Sequence, residues 1–173
     1  PPFFSNRNYE VVWKDEAEIR SFEDRWEGGI EHYIGWMKDR VKELHRVLKP
    51  TGSFYLHCDW HASHHLRVMI DEVFGAKHFQ NEIIWAYRTG GATQRRWSRK
   101  HDNIYFYTKT DEYTFNLEKE RIYYDKPFFS PKQDEQGRWY ADVLPVDVWE
   151  IPAVINVSKE RLGYPTQKPE LLL

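Results

Sequence analysis

His57, Cys58, Asp59, His61, His64 and His65 crowd metal-ligand side chains into one short stretch. Imidazole, thiolate and carboxylate are the groups a zinc or related site draws on. The spacing matches no common zinc pattern, however, and Cys58 is the only thiol in the chain. If residues 53–58 form a strand, His57 and Asp59 share one face while Cys58 points to the other. A polar strand end beside a pocket is therefore preferred, and no metal is expected. Asp59 is kept as a ligand candidate, because open α/β sheets bind ligands beyond the C-terminal ends of their strands.

A second constellation is basic. Arg88, Arg95, Arg96, Arg99 and Lys100 share one loop with Gly90, Gly91 and Trp97. Arginines suit phosphates and guanine edges, glycines permit close approach, and a tryptophan can stack or wedge. The ingredients fit DNA contact; the plainer alternative is a solvated loop. The formal net charge is −2, so any nucleic-acid contact has to come from such a local patch. Aromatic residues make up 17% of the chain. Most are expected to build the core, and the remainder to stack on bases.

These groups need elements to hold them. Ile30, Tyr33, Ile34, Met37, Val41, Leu44 and Leu48 recur at helical spacing, which predicts an amphipathic helix over about 30–48, ended by Lys49-Pro50-Thr51-Gly52. Ser53–Cys58 reads as a buried parallel strand. Leu66, Met69, Ile70, Val73 and Phe74 mark a second helix closed by Gly75. Ile83–Tyr87 and Asn103–Thr108 read as strands joined by the basic loop, an antiparallel hairpin at a sheet edge. Residues 1–29 are expected to be mostly loop, and 110–150 an irregular insertion. The order helix, strand, helix with short connections signals α/β layering.

Pro1-Pro2-Phe3 and Tyr164-Pro165-Thr166-Gln167-Lys168-Pro169 together resemble two motifs of the DNA amino-methyltransferases that carry a DPPY-type catalytic tetrapeptide. The motif order is that of the beta class, in which the catalytic motif precedes the cofactor motif. Arg46–Asp59, Phe74-Gly75, Asn81–Trp85 and His101–Lys109 resemble successive segments of the same family. On this resemblance the chain is expected to be a central piece of such an enzyme, truncated at both ends. It would open one residue after the family's Asp and stop before its Gly-rich cofactor loop.

The resemblance implies a partial Rossmann-like sheet of the S-adenosylmethionine-dependent methyltransferase type, with an antiparallel hairpin edge and an irregular insert. Residues 1–109 would belong to the catalytic domain, 110–150 to a target-recognition insert, and 151–173 would lead to the cofactor region. Pro1, Pro2 and Phe3 would hold an acceptor base flipped out of the duplex, the proline rings aiming a carbonyl at its amine. Thr166 and Lys168, with Asp59, would face the cofactor, Lys168 as a cation for its carboxylate. Pro169 would open a helix at Glu170. The activity implied is methyl transfer from S-adenosylmethionine to the exocyclic amine of adenine in double-stranded DNA, in a restriction-modification or phage system. Cytosine-N4 methylation and a non-catalytic nucleic-acid-binding module are the alternatives. A restriction endonuclease subunit is an expected partner, and the open edges of a cut sheet favour a homo-oligomer. The chain has no apolar run approaching the ~20 residues of a membrane helix. Together with the lone cysteine, this suits a reducing, cytoplasmic setting.

Overall fold

The computed structural model describes residues 1–12, 19–87, 89–116, 118–127, 131–163 and 166–173. These divide into two compact units, Pro1–Tyr113 with Val148–Leu173, and Thr114–Asp147.

In the larger unit, β1 (Arg7–Val12) and β2 (Ile19–Asp24) form an antiparallel pair. This corrects the expectation of a loop over 1–29, where no local period announces the pairing. Helix α1 (Gly29–Val47) follows, then β3 (Ser53–Cys58) and α2 (Ser63–Phe74). The turn after α1 is tight. A Cβ on Gly52 would lie 2.7 Å from the Leu48 side chain and 2.9 Å from the Lys49 carbonyl, so only glycine fits. Lys109 caps the helix, donating from Nζ to the Leu48 carbonyl at 2.6 Å. Gly75 closes α2 at φ 84°, in the left-handed region.

Strands β4 (Phe79–Ala86) and β5 (His101–Thr108) pair antiparallel, as their sequences predict. The described sheet runs β3-β5-β4-β9, with β9 (Val148–Glu150) parallel to β4. Two expectations are corrected here. β3 pairs antiparallel with β5, Tyr55 opposite Phe106 and His57 opposite Ile104, not parallel to a neighbour. The β4–β5 hairpin lies inside this sheet, since β5 is flanked on both sides. A short apolar run carries burial in its composition but not the direction of its partner.

The sheet buries both faces. Leu56, Cys58, Tyr105 and Tyr107 point to the helices and pack with Tyr33, Met37, Val41, Leu66, Ile70 and Phe74. Ile83, Trp85, Ile104 and Phe106 form the opposite face under Tyr113, Trp149, Ile151 and Leu172. This two-sided burial explains why β5 is buried from Asp102 to Thr108 around the apolar run Ile104–Tyr107.

In the smaller unit, β6 (Glu120–Tyr124), β7 (Lys132–Gln133) and β8 (Trp139–Val143) form an antiparallel sheet of order β6-β8-β7. The segment expected to be irregular is thus a short-stranded sheet. One face carries Arg121 over Tyr140 at 4.0 Å and Arg138 over Tyr123 at 4.3 Å. Among the described residues no helix is long and apolar enough to cross a membrane.

Candidate functional site

Asp24 is the last residue of β2 and is fully buried. Its carboxylate accepts hydrogen bonds from the backbone amides of Phe3 (3.0 Å), Phe4 (3.0 Å) and Ser5 (2.8 Å). The Ser5 hydroxyl donates at 2.7 Å and the Trp26 indole at 3.0 Å. Burial pushes the carboxyl pKa up, but the Ser5 amide and the other donors outweigh it and hold the pKa below the usual value. Phe4 adopts φ 61° and Asn6 φ 57°, a conformation that costs a non-glycine residue on the order of 1–3 kcal/mol. Such a turn directs successive amides towards one side, the geometry that cradles an anion. Here the anion is the protein's own.

On the carbonyl side of the same loop, the buried Tyr33 of α1 donates its hydroxyl to the Pro2 carbonyl at 2.7 Å. Phe3 is thereby held between two anchors, and its ring meets His57 edge-on at 5.1 Å. His57, near the end of β3, contacts Trp85 of β4 at 5.5 Å. Its Nε2 lies 2.9 Å from Asp102 Oδ2 at the start of β5, and Tyr87 donates to the other oxygen at 3.0 Å. A carboxylate only accepts, so His57 donates from Nε2 and keeps Nδ1 as its acceptor. Burial lowers the His57 pKa against the raising effect of Asp102, which favours the neutral ring.

Lys168 closes the arrangement. Its ammonium lies 5.1 Å from the Phe3 ring centre and 5.7 Å from that of Trp85. Burial lowers its pKa, while Asp102 and Asp59 raise it. Among the described residues no carboxylate forms an ion pair with it. A cation held among aromatic rings without an ion-pair partner fits an incoming anionic group. Just before it, Gln167 accepts from the Leu162 amide (2.7 Å) and donates to the Glu160 carbonyl (2.7 Å). Pro169 is buried, and Glu170–Leu172 forms a single 3-10 turn where a helix start was expected.

The structure thus brings Phe3 and Lys168 together across nearly the whole length of the chain. Thr166 is half-buried two residues upstream. Asp59 is engaged locally, accepting from the His61 amide at 3.0 Å and paired with its ring Nδ1 at 2.8 Å. Of the histidine-rich stretch, no group of ligands converges as a metal site among the described residues.

The basic loop is different. Arg88 lies outside the described residues. Arg95, Arg96 and Arg99 are exposed, and Trp97 is 94% exposed. The loop is tied at its base by the Tyr87 amide donating to the Lys100 carbonyl at 2.9 Å. Lys100 donates to Thr89 Oγ1 (3.1 Å) and the Gly90 carbonyl (2.6 Å). Arg99 lies over the Trp60 ring at 3.4 Å, and Trp60 stacks on His61 at 3.8 Å.

Sequence reasoning missed Asp24, Tyr33, Trp85, Tyr87 and Asp102. Asp24 follows Glu23 and precedes Arg25, so nothing local separates it from a solvated charge. Asp102 carried a signal, a carboxylate at the mouth of a buried apolar strand.

A family model described as DNA methylase, of the N6/N4 methyltransferase type, matches residues 1–173. The type II methyltransferase M.HpaI of Haemophilus parainfluenzae is 30% identical over 141 residues, covering 81% of this chain and 42% of that protein. The type II methyltransferase M.BglII of Bacillus subtilis is 30% identical over 154 residues, with 82% and 42% covered. The DNA adenine methyltransferase YhdJ of Escherichia coli K12 is 24% identical over 182 residues, with 100% and 56% covered. The chain spans about half the length of the curated relatives it matches. With the family model matching from end to end, the chain belongs to the DNA methylase family.

Proposed function

We propose that the protein methylates the exocyclic amine of adenine at specific sites in double-stranded DNA, using S-adenosylmethionine. The observation that carries this reading is the clamped Pro2-Phe3-Phe4 turn set beside Lys168. Family membership supplies the reaction class. Adenine is favoured over cytosine by the activity for which the E. coli relative is named. The finer fold reading, a Rossmann-like methyltransferase sheet, rests on the same membership and on two helices packed against one sheet face.

S-adenosylmethionine would supply the methyl group. This chain's residues would do the rest. Phe3 offers a ring for an extruded base, and Pro1 and Pro2 set the backbone beside it. Lys168 offers charge to a carboxylate, with Thr166 and Asp59 as nearby polar groups. Arg88, Arg95, Arg96, Trp97, Arg99 and Lys100 offer phosphate and groove contacts. The unit Thr114–Asp147, with its arginine-on-tyrosine face, suits target recognition. A restriction subunit is a further expected partner, since one relative is the Mod subunit of a type III restriction-modification enzyme from Salmonella typhimurium.

The test is incorporation of labelled methyl groups from S-adenosylmethionine into DNA by the intact protein, followed by nucleoside analysis. N6-methyladenine at one short sequence is expected. Labelled N4-methylcytosine would move the reading to the cytosine branch. Absence of any label with bound DNA would leave a binding module.

A further inference from the structure

Asp24 is a fully buried carboxylate that forms no ion pair among the described residues, yet takes five hydrogen bonds. Four of the donors belong to Phe3, Phe4 and Ser5, the turn that follows Pro2. A buried ionised group is expensive unless fully hydrogen-bonded, and a core anchor needs no charge to hold a strand end. The bonds converge instead on a strained turn: Phe4 sits at φ 61°. Strain of this kind persists only where the surroundings over-determine it. Tyr33 completes the restraint from the opposite side by occupying the Pro2 carbonyl.

We propose that Asp24 and Tyr33 are positioning residues for the acceptor base. Together they lock the Pro2–Ser5 backbone so that Phe3 stands ready to receive an extruded base before any DNA arrives. Asp24 fixes the three amides, and Tyr33 fixes the Pro2 carbonyl and so the peptide plane that precedes Phe3. Neither touches substrate. Their effect passes through the angle of the Phe3 ring and the direction of the Pro1 and Pro2 carbonyls. Pre-organisation of this kind acts on the reacting geometry, and a displacement of about 1 Å can cost on the order of 100-fold. The proposal rests on the reading of Phe3 as the base platform.

The test uses the intact protein with Tyr33→Phe and Asp24→Asn. Tyr33→Phe keeps the buried ring and removes only the hydroxyl, so the fold is preserved. It is expected to lower kcat for methyl transfer by about tenfold, the order of one hydrogen bond. Calorimetric affinity for S-adenosylmethionine and KM for DNA should stay within about twofold. Asp24→Asn replaces an acceptor by a group that also donates, and is expected to cost on the order of 100-fold in kcat. Amide exchange at Phe4 and Ser5 should be slow in the wild type, faster in Asp24→Asn, and unchanged at the α2 amides. Wild-type kcat in Tyr33→Phe would overturn the proposal, as would a loss of kcat matched by an equal loss of cofactor affinity. If the wild type methylates no DNA, the functional reading fails and the positioning role with it. Slow exchange at Phe4 and Ser5 would then show that the clamp itself stands and only its purpose was misread.

Discussion

The turn at Pro2–Ser5 and the basic loop at Thr89–Lys100 are both loops that present an aromatic ring, and they are built in opposite ways. Phe3 sits on a backbone held at consecutive amides by a buried carboxylate and at the preceding carbonyl by a buried tyrosine. Trp97 stands 94% exposed in a loop tied mainly at its base. The first has its shape before a partner arrives. The second leaves the exposed Arg95, Arg96 and Trp97 to a partner. Reacting groups gain from geometry fixed in advance, whereas phosphate contacts are non-directional enough to form on encounter. Chemistry in the rigid turn and grip in the open loop is the division these two regions suggest.

The largest effect that would break this division is at Phe3. Base stacking is worth about 1–3 kcal/mol, which is roughly fivefold to somewhat over a hundredfold in rate. Phe3→Ala is expected to lose that much kcat/KM while duplex binding keeps its salt dependence. Phe3→Trp, which retains a π-face, should recover part of the loss. Steady-state kinetics at two salt concentrations separates the outcomes.

Lys168→Ala comes next. A charge-assisted hydrogen bond contributes about 1.5–3 kcal/mol, so cofactor affinity should weaken by about tenfold or more in calorimetry. Because the ammonium also lies 5.1 Å from the Phe3 ring centre, kcat is expected to fall as well. An effect on cofactor alone would mean that the proximity to Phe3 has no consequence. For the basic loop, replacing Arg95, Arg96 and Arg99 by Ala should make the dependence of log K on log salt shallower, by about 0.9 for each phosphate no longer neutralised. Thermal stability should change little, since these side chains are exposed and Arg99 loses only its contact with the Trp60 ring. Footprinting or anisotropy titrations over salt measure it, and an unaltered slope would return the loop to a solvated role.

How much of this was readable from residues follows the range of the interactions. Helices α1 and α2, strand β3 and the β4–β5 pairing carry their own periods and punctuation, and their limits lie within a few residues of those expected. The β1–β2 pair and the sheet of 120–143 do not, because short strands with charges on both sides lack a clean alternation. The site divides in the same way. Phe3 and Lys168 were legible through motif resemblance. Asp24 and Tyr33 act across the 21 and 31 positions that separate them from Phe3 and Pro2, a link that no spacing rule contains. His57 stands out in the sequence as a metal-type residue. In the structure it joins Asp102 instead and supports the Phe3 ring.

The smallest effect is the response of the Asp24 clamp to pH. Its folded pKa lies below the unfolded value, since hydrogen bonds overcome the upward push of burial. The stabilisation is therefore complete above the unfolded pKa of about 3.9 and is lost as pH falls through the lower folded value. Exchange at Phe4 and Ser5 should accelerate only in that acid window, and Asp24→Asn should remove the pH dependence.

The division between rigid turn and open loop is tested most directly by fluorescence of 2-aminopurine placed at the methylated position of a duplex. Wild-type intact protein is predicted to raise the emission on binding, as the base leaves the stack. Phe3→Ala should bind the same duplex with the same salt slope but fail to hold the base, leaving a changed or diminished signal. The Arg95, Arg96, Arg99 triple variant should need more protein yet reach the wild-type signal at saturation. A wild-type signal from Phe3→Ala, or its loss at saturation in the triple variant, would contradict the account.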